Sequence, residues 1–281
     1  MFGNGGGRMQ SFGGPWTLLK LNVLDKYLNF YVTAMQRKPF RLCYFDAFAG
    51  SGNIDIKDIG PIPGSALKAI DYPFDKYFFI EKSEDYAHRL DQNIIVKSKN
   101  KNINYEIIIG DCNELLQKIN SFQWYKNYWR GVIFLDPYAM ELKWDSLESI
   151  AKTEAFDVWY LFPLSAMNRL MRRDGNIEES HRAIINDLLG TIDWEEEIYY
   201  ESPQLSLFGE QDRERVHVTE IEKYVIKRLK TIFPGVSDKS KLLRNPVNNS
   251  PMFILCFAVS NPSPKAIKIS LKIADHILTH T

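Results

Sequence analysis

Four carboxylates recur at one kind of place. Asp46, Glu81, Asp111 and Asp136 each stand at or just past the end of a short apolar run, namely Arg41 to Phe48, Lys76 to Ile80, Tyr105 to Ile109 and Gly131 to Leu135. Such runs, bounded by turn residues, read as buried strands. In an open α/β sheet, ligands bind outside the carboxyl ends of the strands. An unpartnered carboxylate is costly to desolvate, so four on one edge call for a ligand with hydroxyls, amines and a positive centre. Ala49-Gly50-Ser51-Gly52 lets the backbone approach such a ligand closely, because glycine has no Cβ. Glu81 is placed to accept both hydroxyls of a ribose. Asp111 is placed to accept from an adenine amine, with Cys112 offering its backbone N–H, and Asp46 to receive the ammonium of an amino-acid tail. A lone Asp at a strand end commonly does no more than cap the next helix, and Asp111 is well placed for that. The series of four, the first beside a glycine-rich turn, is what favours a ligand site.

Asp136-Pro137-Tyr138 suits transfer to an exocyclic amine. The Asp136 carboxylate and the Pro137 carbonyl are pure acceptors, able to take the amine hydrogens and turn the nitrogen lone pair towards an electrophile. Tyr138 would stack on a flipped base. The alternative is that Asp-Pro simply ends the strand and Tyr138 packs under the loop. Other chemistries lack their signatures. The glycine-rich turn is neither G-x-G-x-x-G nor G-x-x-x-x-G-K-[ST], which argues against dinucleotide binding and against a P-loop. There is no G-x-S-x-G nucleophile elbow. His88, His181, His217, His276 and His280 are scattered and are read as forming no metal pair at helix spacing, so no metal is expected.

The elements that must position these residues follow from periodicity. Trp16 to Met35 carries Leu24, Tyr27, Leu28, Tyr31 and Met35 at helical spacing, and Pro39 stops it. Gly60 to Gly64 reads as a loop and Ser65 to Ile70 as a short helix. Ser83 caps a helix through about Val96. Asn113 to Ile119 and Leu147 to Thr153 are helical, and Phe156 to Phe162 is a fifth strand. Strands alternating with helices imply a parallel sheet covered on both faces. Residues 166–235 break the rhythm. They read as a polar, mostly helical insertion or cap with a basic stretch, Arg169, Arg172 and Arg173, and with residues 201–212 as a loop from which Gln204 to Phe208 could dock. Met252 to Val259 is a late apolar strand and Pro264 to Ile277 a final helix. The expected organisation is a doubly wound α/β domain at 15–165 and 236–281, a helical insertion or cap at 166–235 and a flexible leader at 1–14.

The bulk numbers bound the function. Lys and Arg total 35 and Asp and Glu total 35, so any nucleic-acid contact must be a local patch. Cys43, Cys112 and Cys256 form no C-x-x-C pair and read as free thiols. No apolar run approaches the roughly 20 residues a membrane helix needs. A cytoplasmic protein without membrane contact is expected.

Phe45-Asp46-Ala47-Phe48-Ala49-Gly50-Ser51-Gly52 resembles the first motif of class I methyltransferases. Glu81 resembles their ribose-binding acid, Gly110-Asp111-Cys112-Asn113 their adenine-side motif, and Leu135-Asp136-Pro137-Tyr138 their fourth motif. The last is similar to the D-P-P-[YF] signature of amino-methyltransferases acting on adenine or cytosine, with one proline missing and Ala139 after the tyrosine. More narrowly, Lys20 to Tyr27, Asp46 to Gly52, Gly64-Ser65-Ala66-Leu67 and Phe134 to Trp144 resemble the three-Cys-motif partner (TcmP) family of methyltransferases. The resemblance spans roughly the first two-thirds of the chain. It implies a doubly wound Rossmann-like methyltransferase sheet with an N-terminal helix and a helical insertion after the fifth strand. It also implies S-adenosylmethionine as cofactor and a neighbouring three-Cys-motif protein as partner. The expected cofactor-binding set is Asp46, Phe48, Ala49, Gly50, Ser51, Gly52, Glu81, Lys82, Asp111 and Cys112; the expected catalytic set is Asp136, Pro137 and Tyr138. The acceptor expected is a nitrogen of a nucleic-acid base. The alternatives are a small molecule, a protein side chain, or a non-catalytic partner subunit that keeps the fold as a scaffold.

Overall fold

A computed structural model of the chain describes residues 14–56, 58–99, 102–172, 175–205 and 211–281. Residues 1–13 of the expected leader, Arg173, and residues 206–208 of the expected docking stretch lie outside them.

Helix α1 (Pro15–Met35) starts with proline at its first position, where no N–H is needed. Its buried stripe runs Thr17, Lys20, Leu21, Leu24, Tyr27, Leu28 and Tyr31, a helical period in which the lysine is the one charged member. Strand β1 (Arg41–Asp46) leads into the glycine-rich turn. The segment expected as a loop at Gly60 to Gly64 is instead half of a hairpin, β2 (Asn53–Ile56) with β3 (Gly60–Pro63). Its prolines sit on a two-stranded ribbon with no further neighbour, where a missing N–H costs little. Then follow α2 (Ser65–Ala69), β4 (Lys76–Glu81), α3 (Glu84–Ser98), β5 (Tyr105–Ile109), α4 (Cys112–Leu116), β6 (Trp129–Leu135), α5 (Trp144–Ala151) and β7 (Phe156–Phe162). Ser83 caps α3, its hydroxyl accepting from the Tyr86 N–H.

After β7 come α6 (Leu164–Leu170), α7 (Glu179–Leu189), α8 (Trp194–Ile198), β8 (Tyr199–Leu205), β9 (Gln211–Arg215) and α9 (Val218–Leu229). The expected loop at 201–212 is therefore largely an antiparallel ribbon, with Tyr199 opposite Arg215 and Leu205 opposite Gln211. The polar alternation of Tyr200, Glu201, Arg213 and Glu214 belongs to a strand pair with a solvated face, which a search for apolar runs passes over. The chain ends with β10 (Gly235–Val236), β11 (Lys241–Arg244), β12 (Pro251–Val259) and α10 (Pro264–His280). Because α10 runs past Ile277, His276 and His280 share a face with ring centroids 4.4 Å apart, a spacing the sequence reading missed. Among the described residues, no group of three or more His, Cys, Asp or Glu gathers as a metal site.

The main sheet has the order β10-β12-β7-β6-β1-β4-β5, with β11 also paired to β12. Strands β5, β4, β1, β6 and β7 are mutually parallel, and β12 runs antiparallel to β7. This is a doubly wound Rossmann-like sheet. The chain winds outward from β1 through β4 to β5, then returns to β6 on the other side of β1. The topological switch point therefore lies between β1 and β6, whose ends carry Asp46 and Asp136.

Two apolar clusters cover the two faces. Tyr44, Phe79, Phe134, Trp159, Leu161 and Phe257 pack against α1, α2, α3 and α10. Phe45, Ile133, Leu135, Phe156, Val158 and Phe162 face the other way. The alternation along each strand is the period of two that points successive side chains to opposite faces. Ile185, Leu188, Trp194, Ile221 and Leu229 of residues 166–235 belong to the second cluster, so this segment shares its core with the sheet. Each fully buried phenylalanine or leucine there contributes about 1.5–3 kcal/mol. Among the described residues, no helix is long and apolar enough to cross a membrane.

Candidate functional site

The four carboxylates gather at the carboxyl edge of the parallel strands. Asp46 and Glu81 end β1 and β4; Asp111 and Asp136 follow β5 and β6. None of them waits for a ligand to supply its first partner. That corrects the expectation that four converging acids would be unpartnered until a ligand arrives.

Asp46 is fully buried. Its Oδ1 accepts from the Phe48 N–H at 3.3 Å and its Oδ2 from the Tyr44 hydroxyl at 3.4 Å, and Ser65 adds a third bond. Burial pushes its carboxyl up to about 7, against the pull of those bonds and with a push from nearby Asp136. Asp46 thus acts through its neighbours, pinning the turn to α2.

The turn is held from several sides. Ala49 donates its N–H to the Ile80 carbonyl at 3.0 Å, and Phe48 packs against the core. Asn93 of α3 holds the Ser51 carbonyl at 2.9 Å, and the Gly64 N–H holds that of Gly52 at 2.7 Å. Gly50 and Gly52 have φ of +59° and +86°. A Cβ on Gly52 would lie 2.9 Å from Leu90, but one on Gly50 would meet nothing within 4 Å. Gly50 therefore faces open space with its backbone in a left-handed conformation.

Glu81 reaches across to the same turn. Its Oε2 accepts the Gly50 N–H at 2.8 Å and its Oε1 the Ser83 N–H at 2.8 Å. Each oxygen keeps a further lone pair for a ligand hydroxyl.

Asp111 does cap α4: its Oδ1 accepts the Asn113 N–H at 2.9 Å. Lys82, on an exposed bend, donates to Oδ2 at 3.2 Å. Burial alone would raise this carboxyl, but the Asn113 and Lys82 bonds together outweigh it and hold it below the usual range. Cys112 is buried, and burial pushes its thiol up to about 12, so it stays neutral.

Asp136 is the ion-pair partner of Lys20, the lysine on the buried stripe of α1. Pro137 is buried beside it, and Tyr138 is 64% exposed, followed by Ala139 at φ +55°. The glycine-like backbone at Ala139 turns the chain back towards Met140 and Glu141. Trp144 and Trp159 both lie in the core.

Three residues that the sequence reading left without a role tie the site together. Lys20 is one. Asn113 is another: its Nδ2 donates to the Glu141 carbonyl at 2.8 Å, and its Oδ1 accepts from the Lys143 N–H and the Ser146 hydroxyl, both at 2.9 Å. One buried carboxamide thus joins the Asp111 turn to the loop after Asp136. The third is Glu141, whose carboxyl is raised by burial and feels Lys82, Asp111 and Glu81 at once. The signal for Lys20 was present, since a lysine at the core period of an amphipathic helix needs a buried acid. Asn113 and Glu141 lie within the Gly110 to Asn113 and Phe134 to Trp144 motifs, but nothing in the sequence signals what their side chains do.

A cavity of about 480 Å³ opens beside this group, between Asp111 and Asn113, Met140 and Glu141, and Ile184 and Asp187 of α7. That is within the range of small-ligand sites, roughly 300–1,000 Å³. The segment that borders it carries ten Lys and Arg against fourteen Asp and Glu over 166–235. Arg169 and Arg172 stand exposed on and just past α6.

No family model and no curated protein matches the chain. Among solved structures, protein LPL1258 from Legionella pneumophila is similar over 94% of each chain, at 13% identity and a TM-score of 0.51. Trm1 from Pyrococcus horikoshii, solved with S-adenosyl-L-methionine, aligns over 96% of this chain and 76% of its own, at 11% identity and a TM-score of 0.37. The likeness to LPL1258 is one of fold.

Proposed function

We propose that the chain is an S-adenosylmethionine-dependent methyltransferase, with its cofactor site built from the Gly50 turn, Glu81 and Asp111. One observation carries the reading. At the switch point of the sheet, an open glycine turn, an acid bonded to it, and a second acid at the rim of a cavity stand beside an aspartate held by a lysine. The residues fit the cofactor. Gly50 leaves room where a Cβ would project, Glu81 has lone pairs for a ribose diol, and Asp111 stands ionised where an amine could donate. When bound, S-adenosylmethionine supplies an electrophilic methyl group.

The chain's own residues then have separable tasks. Lys20 holds one oxygen of Asp136, which fixes the carboxylate and leaves the other to accept a hydrogen from the acceptor. The Pro137 carbonyl is the second acceptor. Together they suit a nitrogen bearing hydrogens, as on the exocyclic amine of a nucleic-acid base, and they align its lone pair. Tyr138, largely exposed, would stack on a base outside the pocket. The net acidity of the insertion favours a second reading, a small-molecule or protein acceptor. A three-Cys-motif protein partner rests on the sequence motifs alone.

Isothermal titration with S-adenosylhomocysteine tests the cofactor site: micromolar binding is expected, weakened in Glu81→Ala. Radiolabelled methyl transfer to nucleic-acid, protein and metabolite fractions then sorts the acceptors, with Asp136→Ala expected to lose transfer and keep binding. No binding by the wild-type chain would overturn the reading.

A further inference from the structure

We propose that helix α7 of the insertion is the outer wall of the adenine end of the cofactor site, with Ile184 its contact residue. This rests on the cofactor reading above. Three observations carry it. The cavity beside Asp111 is lined both by the loop after Asp136, through Met140 and Glu141, and by α7, through Ile184 and Asp187. Ile184 is not part of the core face of α7, where Ile185, Leu188 and Leu189 are buried; it is 42% exposed, a large apolar residue spent on the cavity. And α7 is fixed where it stands. Lys143 of the loop pairs with Asp187 at 3.0 Å. At the end of α7, Gly190 lies against the Trp144 indole, so close that a Cβ would come within 2.1 Å of it. Arg228 covers the same ring at 4.8 Å and donates to the Leu189 and Gly190 carbonyls.

A heteroaromatic ring with an amine needs apolar contact on its faces and an acceptor at its edge. Met140 and Ile184 supply the first and Asp111 the second. Glu114, Glu141 and Asp187 add negative charge to the lining, against Lys143. Such a pocket suits an adenosyl group without phosphates and repels one that carries them.

The test is titration of the full chain with S-adenosylhomocysteine, adenosine and AMP, for wild type, Ile184→Ser, Ile184→Met and Glu81→Ala, with thermal midpoints alongside. Ile184→Ser is expected to weaken S-adenosylhomocysteine and adenosine alike, by about five- to tenfold. Its midpoint should not move, and Ile184→Met should restore affinity because it restores the apolar contact. AMP should bind at least about tenfold more weakly than adenosine. If Ile184→Ser binds like wild type while Glu81→Ala is weakened, α7 is not the wall and the cofactor reading survives. If AMP matches adenosine, the charge argument fails. If the wild-type chain binds neither adenosyl ligand, the cofactor reading falls and takes the wall with it.

Discussion

Lys20 and Asp136 stand 116 residues apart in the chain and meet in an ion pair at the switch point of the sheet. Their side chains are only 10% and 20% exposed, so each is the main compensation for the other's desolvation. Lys20→Ala is expected to leave Asp136 uncompensated, lowering stability by about 3 kcal/mol. It should also abolish methyl transfer while S-adenosylhomocysteine still binds. Denaturant midpoints and titration of the same preparation separate the two effects.

Gly50→Ala should uncouple folding from binding. The left-handed φ costs an alanine about 1 kcal/mol, and its Cβ meets no protein atom. The methyl group projects instead into the space assigned to the ligand. A small drop in thermal midpoint with a large loss of S-adenosylhomocysteine affinity is the expected pair of results; unchanged affinity would put the ligand elsewhere.

Asp46 makes stability depend on pH. Its folded-state pKa, about 7, lies above the ordinary 3.8 because burial disfavours the charged form. Its contribution is therefore complete below about pH 4 and is lost as pH rises through 7. Asp46→Asn, which keeps the shape without the charge, should gain about 2–3 kcal/mol relative to wild type between pH 5 and pH 8. Asp157, held by Tyr27 and Ser270 and raised to about 6, should give Asp157→Asn a smaller trend of the same sign. Urea titrations at the two pH values provide the comparison, and a pH-independent difference would mean Asp46 is not desolvated as described.

Asn113→Ala removes the acceptor for the Lys143 N–H and the Ser146 hydroxyl. Leaving those groups without partners should cost about 2–4 kcal/mol. Hydrogen exchange should show the loss concentrated at the loop from Met140 to Lys143, ahead of the strands. Uniform loosening across the sheet would instead make Asn113 an ordinary core residue.

Much of this was legible in the sequence. Buried parallel strands announce themselves as apolar runs, and Tyr105–Ile109 and Phe156–Phe162 came out with their observed bounds. The edge that gathers Asp46, Glu81, Asp111 and Asp136 followed from their positions after such runs. What escaped was long-range or locally weak. Periodicity read α1 correctly but not the acid that its Lys20 meets, because pairing across 116 residues leaves no local trace. The two ribbons, Asn53–Ile56 with Gly60–Pro63 and Tyr199–Leu205 with Gln211–Arg215, are short, polar or proline-bearing, and each depends on its partner strand. Asn113 looked like any residue in a first helical turn; its role lies in the carbonyl and amides that folding brings to it.

The seat of Gly190 on Trp144, under the Arg228 guanidinium, bears on modularity. Trp144 opens the helix that follows the Asp136 loop, while Gly190 and Arg228 both belong to the insertion, which shares the apolar core of the sheet. The 166–235 segment is thus no detachable accessory. Excising it would bare the indole and the loop together, and a transplanted substitute could succeed only if it brought its own cationic cover for that ring.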